Sequence, residues 1–181
     1  ISLLALMIAF FVISDFMTFG YSLIFYFLVS LRVALIAYCG FQFKYIKHVK
    51  NVRRYDLSIL VFLLTVVLGI LLVDFTRPEN YVPHIIIIDL AVFVFYLGVP
   101  TRFLFQAVPS LVFSVGEIVL VTLTFNWFME AGLFTALFSL VFANVIASII
   151  SLQMHSYRYR IYENITERKE TDRLAAIGQT A

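Results

Sequence analysis

LFTALFSLVFANVIASIISLQ, residues Leu133 to Gln153, holds no charged side chain, and MHSYRYRIYENITERKETDRLAAIGQTA, residues Met154 to Ala181, follows it without a proline. At about 1.5 Å of rise per residue the first run is long enough to cross a hydrocarbon core of about 30 Å as a single helix. The second is dense in charge from Arg158 to Arg173 and has Gly178 as its only glycine, so it is expected to continue the helix beyond the apolar layer as a rod of roughly 40 Å. A helix that starts in lipid and ends in water says what kind of molecule the rest of the chain must complete.

Composition points the same way. The 181 residues are 62% hydrophobic, 17% aromatic and 13% charged, with a mean hydropathy of +0.99, against an apolar share of about 45–50% in a soluble domain. The reading is an all-α, polytopic integral membrane protein. The single Cys39 allows no intrachain disulfide and argues against a cysteine-based metal cluster. The net charge of +2 makes no electrostatic case for nucleic acid. The chain opens at Ile1, inside an apolar run, with no basic n-region or small-residue cleavage site, so the first residues are not a signal peptide and the native N-terminus is expected further upstream.

Six runs approach or meet the length of a spanning helix: Ser2 to Phe19, Ser22 to Phe43, Leu57 to Phe75, Val82 to Val99, Val108 to Asn126 and Leu133 to Gln153. The breaks fall at Gly20, Arg77-Pro78-Glu79-Asn80, Pro83, Pro100, Pro109 and Glu130-Ala131-Gly132. Lysine and arginine set the orientation. Lys44, Lys47, Lys50, Arg53 and Arg54 lie between spans two and three, Arg102 between four and five, and Arg158, Arg160, Arg168, Lys169 and Arg173 after span six, whereas the other three connections hold only Arg77. Both termini are therefore expected on the cytoplasmic side of a cell (inner) membrane. Phe19, Tyr21, Phe41, Phe43, Tyr45, Tyr55, Phe75, Tyr81, Trp127 and Phe128 fall near the interfaces, as an aromatic belt would.

In the first inner loop, Lys44, Lys47, Lys50 and Arg53 recur every three residues between Ile46, Val49 and Val52, a pattern that a helical extension of span two would lay against anionic head groups. Together with Arg54 these are the candidate lipid head-group contacts, although positive-inside topology alone accounts for five inner cations.

Within the spans, Arg32 is the most expensive residue, because a cation near the middle of the bilayer costs about 2.5–3.5 kcal/mol on insertion scales. It should have a partner, and by depth Glu117 in span five and Asp89 in span four are the candidates. Ser110, Ser114, Glu117 and Thr124 recur at helical spacing and give span five a polar stripe that should face the bundle. Span six adds Asn144 beside Ser148 and Ser151, with Ser139, Ala143 and Ala147 on an adjoining side. Arg32, Asp89, Glu117 and Asn144 are thus the candidate ligand-binding or proton-switching cluster; the plainer alternative is that they are interhelical clamps. His48, His84 and His155 sit at different levels, so neither metal nor haem ligation is expected, and no cofactor is implied. No Gly-rich phosphate loop, Ser/His/Asp set or His-Glu-x-x-His motif appears, so catalysis is not expected in these residues. Asn164-Ile165-Thr166 fits the glycosylation pattern but lies on the cytoplasmic side.

The end of the chain supplies the one resemblance. Asn164-Ile165-Thr166-Glu167-Arg168-Lys169 followed by Arg173-Leu174-Ala175-Ala176-Ile177-Gly178 resembles the join between an input module and the phospho-accepting dimerisation helix of sensor histidine kinases. The resemblance covers about the last 20 residues, and the membrane region matches no sensor by motif. It implies that residues 1–153 are a six-helix transmembrane sensor domain and residues 154–181 a cytoplasmic linker into a dimerisation domain beyond Ala181, which would hold the acceptor histidine. It further implies that the chain works as a homodimer with a kinase core in cis and a response regulator downstream. The full-length protein would then be a histidine protein kinase, while this chain is not itself an enzyme. Ile161, Ile165, Leu174 and Ile177 are the candidate transmitting residues; Met154, Tyr157, Ile161, Ile165, Arg168, Asp172 and Ala175 approximate a weak heptad seam. The stimulus is expected to come from membrane lipids or a small apolar ligand. A membrane domain feeding a nucleotide cyclase and a small transporter or channel are the alternatives.

Overall fold

The computed structural model describes residues 2–76, 84–124 and 130–180, with the side chains of the last helix followed to Lys169. The described residues form six α-helices: α1 (Ser2–Phe19), α2 (Leu23–Ile46), α3 (Val52–Phe75), α4 (His84–Leu97), α5 (Phe103–Thr124) and α6 (Glu130–Thr180). Arg77 to Pro83, Trp127 and Phe128 lie outside the described residues.

Local chemistry ends each element. The Gly20 N–H bonds the Phe16 carbonyl at 2.9 Å with Gly20 at a φ of 54°, a left-handed exit that only glycine takes freely. Two residues later Ser22 caps α2, its Oγ accepting from the Phe25 N–H at 3.2 Å. Gly98 ends α4 by bonding the Val94 carbonyl at 2.8 Å, and a Cβ there would stand only 2.5 Å from that same oxygen.

Two boundaries differ from the sequence expectation. The basic loop is not one helical extension of span two. Helix α2 stops at Ile46 with Lys47 at its C-cap, and Asn51 starts α3 by accepting from the Arg53 N–H at 2.9 Å and the Arg54 N–H at 3.4 Å. The capping asparagine outcompetes the three-residue rhythm of cations, so Arg53 and Arg54 belong to α3. Helix α5 begins at Phe103, not Val108, and contains Pro109. A proline here deletes the ladder bond to the Phe105 carbonyl. Tertiary contacts on both sides of it, described below, hold the helix through.

By length and composition, four helical stretches suffice to cross a membrane: Leu23–Ile46, Val52–Phe75, Phe103–Leu123 and Leu137–Lys169; Ile8–Phe19 and Ile86–Leu97 are apolar but shorter. Helices α1 and α2 form a hairpin that meets the rest where α2 packs on α3. Helix α3 lies along α5, and α4 packs against both α5 and α6. Phe62, Phe95 and Phe113 are fully buried among these helices, with the Phe95 and Phe113 rings edge to face at 5.4 Å. Two glycines permit the closest approaches. A Cβ on Gly69 would come within 2.8 Å of Leu35 Cδ1 across α2 and α3, and one on Gly116 within 2.6 Å of Leu71 Cδ1 across α3 and α5. Large apolar side chains cover the outside of every helix, among them Phe10, Phe27, Leu68, Leu104 and Phe138, the reverse of a water-facing surface.

Candidate functional site

The buried polar groups fall into four separate contacts. In the α1–α2 hairpin, Asp15 is fully buried and accepts from both Arg32 Nε and, at 3.1 Å, Arg32 Nη2; Arg32 itself is 6% exposed and its Cζ lies 5.4 Å from the Phe11 ring centre. The carboxylate that holds Arg32 is therefore Asp15, and neither Glu117 nor Asp89. The antiparallel hairpin explains the choice: the turn at residues 20–22 folds α1 back along α2 and brings the two residues face to face, in the bidentate arrangement arginine favours.

The second contact joins α5 to α6. Asn144 Nδ2 donates to Ser114 Oγ at 2.7 Å and to the Leu140 carbonyl at 2.8 Å, while Asn144 Oδ1 accepts from Ser110 Oγ at 3.0 Å. Ser110, Ser114 and Glu117 are all buried, as the polar stripe read from the sequence requires.

The third lies at what we call the basic end, where the turns at 47–51 and 98–102 lie and α6 leaves the bundle. Gln106 Nε2 donates to the Val99 carbonyl and Gln106 Oε1 accepts from Ser151 Oγ, both at 2.6 Å, with Gln106 and Ser151 buried. Beside them, buried Asp56 accepts from Thr101 Oγ1 at 2.7 Å and faces Arg102 Nε at 3.1 Å. Tyr55 donates its hydroxyl to the Pro100 carbonyl at 3.3 Å, and Gln42 on α2 donates to the Ser58 carbonyl on α3 at 3.2 Å. The short turn between α4 and α5 is thus bonded to α3 directly and to α6 through Gln106.

The fourth contact is at the opposite end. Glu117 on α5 is 1% exposed and in hydrogen-bonding contact with Asp74 on α3, while its Oε1 meets no partner among the described residues. Asp89 on α4 accepts from Ser139 on α6 and has its Oδ1 similarly unfilled. No group of three or more His, Cys, Asp or Glu among the described residues is arranged to hold a metal ion.

Arg32, Asp89, Glu117 and Asn144 meet different partners, respectively Asp15, Ser139, Asp74 and the serines of α5, with Asp89 and Glu117 toward the same end of the bundle. The sequence reading passed over Asp15, Asp56 and Gln106, and read Asp74 only as a charge of an outer connection. Each carried a signal, being an ionisable or amide side chain inside or at the edge of an apolar run. Lys44, Lys47, Lys50, Arg53 and Arg54 are all exposed, with Lys47 Nζ 4.3 Å above the Phe43 ring. Ile161 and Ile165 are exposed on the extension of α6, and Leu174 and Ile177 belong to the same helix. No protein-family model, curated protein or solved structure matches the chain.

Proposed function

We propose that the chain is the membrane input domain of a sensor histidine kinase, with six helices across the bilayer, both ends cytoplasmic, and α6 as the output element of a homodimer. One observation supports this above the others. Helix α6 is continuous from Glu130 to Thr180, held by Asn144 and Ser151 within the bundle, and exposed at every residue from 156 to 169. An unbroken rod with one half gripped and the other free transmits a displacement that a loop would absorb. For the stimulus to matter it must favour one packing of α5 against α6 over another; equal affinity for both moves nothing. The resemblance at Arg173-Leu174-Ala175-Ala176-Ile177-Gly178 supports a dimerisation domain as the receiver of that displacement.

The test is a chimera joining Ala181 to a histidine-kinase core, with one to four residues inserted between Tyr157 and Lys169. Autophosphorylation is expected to rise and fall with a period near 3.6 residues, because each insertion rotates the output by about 100°. Activity indifferent to phase defeats the reading.

A transporter or channel is the second reading, favoured by the unfilled carboxylate oxygens of Glu117 and Asp89. Proton or cation flux into liposomes holding the chain alone, abolished by Glu117→Gln, would decide for it.

A further inference from the structure

We propose that the basic end of the bundle holds a site for the phosphate-bearing head group of an anionic phospholipid, formed by Arg54, Arg102 and Arg158 around Tyr55. These arginines are far apart in the chain, at the start of α3, on the turn before α5 and on α6 just beyond the bundle. The fold brings the elements that carry them to the same end of the bundle. Tyr55 follows Arg54 and bonds the carbonyl of Pro100, two residues before Arg102, and the Arg158 guanidinium lies within electrostatic reach of the Tyr55 hydroxyl. Arg102 is held from beneath: its Nε faces buried Asp56 at 3.1 Å, yet its side chain is 69% exposed. The outer nitrogens of that fork stay open to a second acceptor, and a phosphate accepts from arginine in the same planar fashion as a carboxylate.

Charge and level select a lipid as the occupant. Arg54 and Arg158 are exposed and Asp56, the carboxylate facing the turn, is already engaged by Thr101 and Arg102, so the rim is cationic. Val52, Leu57 and Leu104, exposed at the same end, mark where the apolar girdle stops, and head groups lie at that level of a bilayer. A head group seated there touches α3, the α4–α5 turn and the root of the α6 extension together. The inference needs only that the bundle cross a bilayer and stands whatever the extension feeds.

The full chain in phosphatidylcholine liposomes, probed with spin-labelled phosphatidylglycerol and spin-labelled phosphatidylcholine, tests it. Wild type should hold the anionic probe in preference to the neutral one, and Arg102→Gln and Arg158→Gln should each reduce that preference about fivefold. Lys169→Gln, the same loss of charge farther along the extension, should leave it unchanged. Arg158→Gln alters a residue outside the bundle and keeps the test decisive if Arg102→Gln loses its helical circular dichroism. Equal retention of the two probes by wild type, or an equal loss in Lys169→Gln, overturns the site. Abolition of the preference by excess inorganic phosphate assigns the pocket to a free anion and overturns the lipid.

Discussion

The α1–α2 hairpin and the α3–α6 bundle are held together in different ways. In the hairpin the two helices share one buried charge pair, Asp15 with Arg32, while Gln42, also buried on α2, reaches across to Ser58 of α3. In the bundle the polar contacts are spread over Asp56, Gln106, Ser110, Ser114, Asn144 and Ser151. A concentrated link is strong and brittle, whereas a distributed one weakens by degrees. Association between helices in lipid rests on close packing and on such bonds, because the surrounding chains are as apolar as the helices themselves.

Four substitutions break or sharpen this contrast. Arg32→Ala should have the largest effect, about 3–5 kcal/mol, because it leaves the Asp15 carboxylate buried and uncompensated. Unfolding in detergent followed by helical circular dichroism measures it, and Asp15→Leu combined with Arg32→Met should recover most of the loss. A deficit below about 1 kcal/mol would mean that the pair is not what secures the hairpin. Asn144→Ala comes next, at about 1–2 kcal/mol, since interhelical hydrogen bonds in membranes average about 0.6 kcal/mol and the two to Ser110 and Ser114 are lost at once; the same unfolding assay reads it, and a larger loss would show the bundle to be as brittle as the hairpin. Gly69→Ala probes the seam where hairpin meets bundle. The new methyl must displace Leu35 Cδ1 from 2.8 Å, and the expected deficit is about 1 kcal/mol. Gly40→Ala should move the other way: nothing lies within 4 Å of a Cβ there, and alanine in a helix interior gains about 0.5–1 kcal/mol over glycine. A loss at Gly40 would reveal a neighbour against that face of α2.

Much of this organisation could be read from the chain before any coordinates. Six apolar runs became six helices, and the spacing of Ser110, Ser114 and Glu117 located the face of α5 that turns inward. The partner of Arg32 was misjudged for an identifiable reason. Depth was matched across distant spans, while the neighbouring antiparallel helix, whose proximity needs no assumption about the bundle, already offered an acid at Asp15; a long arginine side chain makes up differences in level that a shorter cation would not. The start of α5 was hidden by Pro100 and Pro109, which read alike as breakers. Only the tertiary bonds of Gln106 and Ser110 on either side of Pro109 explain how the helix tolerates it. The meeting of Glu117 with Asp74 depends on which helices are neighbours, and hydropathy holds no record of that.

The geometry of α6 makes it a lever arm. From Ser151, its last buried anchor among the described side chains, to Thr180 the helix extends roughly 43 Å at about 1.5 Å per residue, so a tilt of about 5° at the fulcrum swings the far end sideways by about 4 Å. A rearrangement small enough to leave every bond of Gln106 and Asn144 intact would therefore emerge at the tip magnified to nearly the width of a side chain.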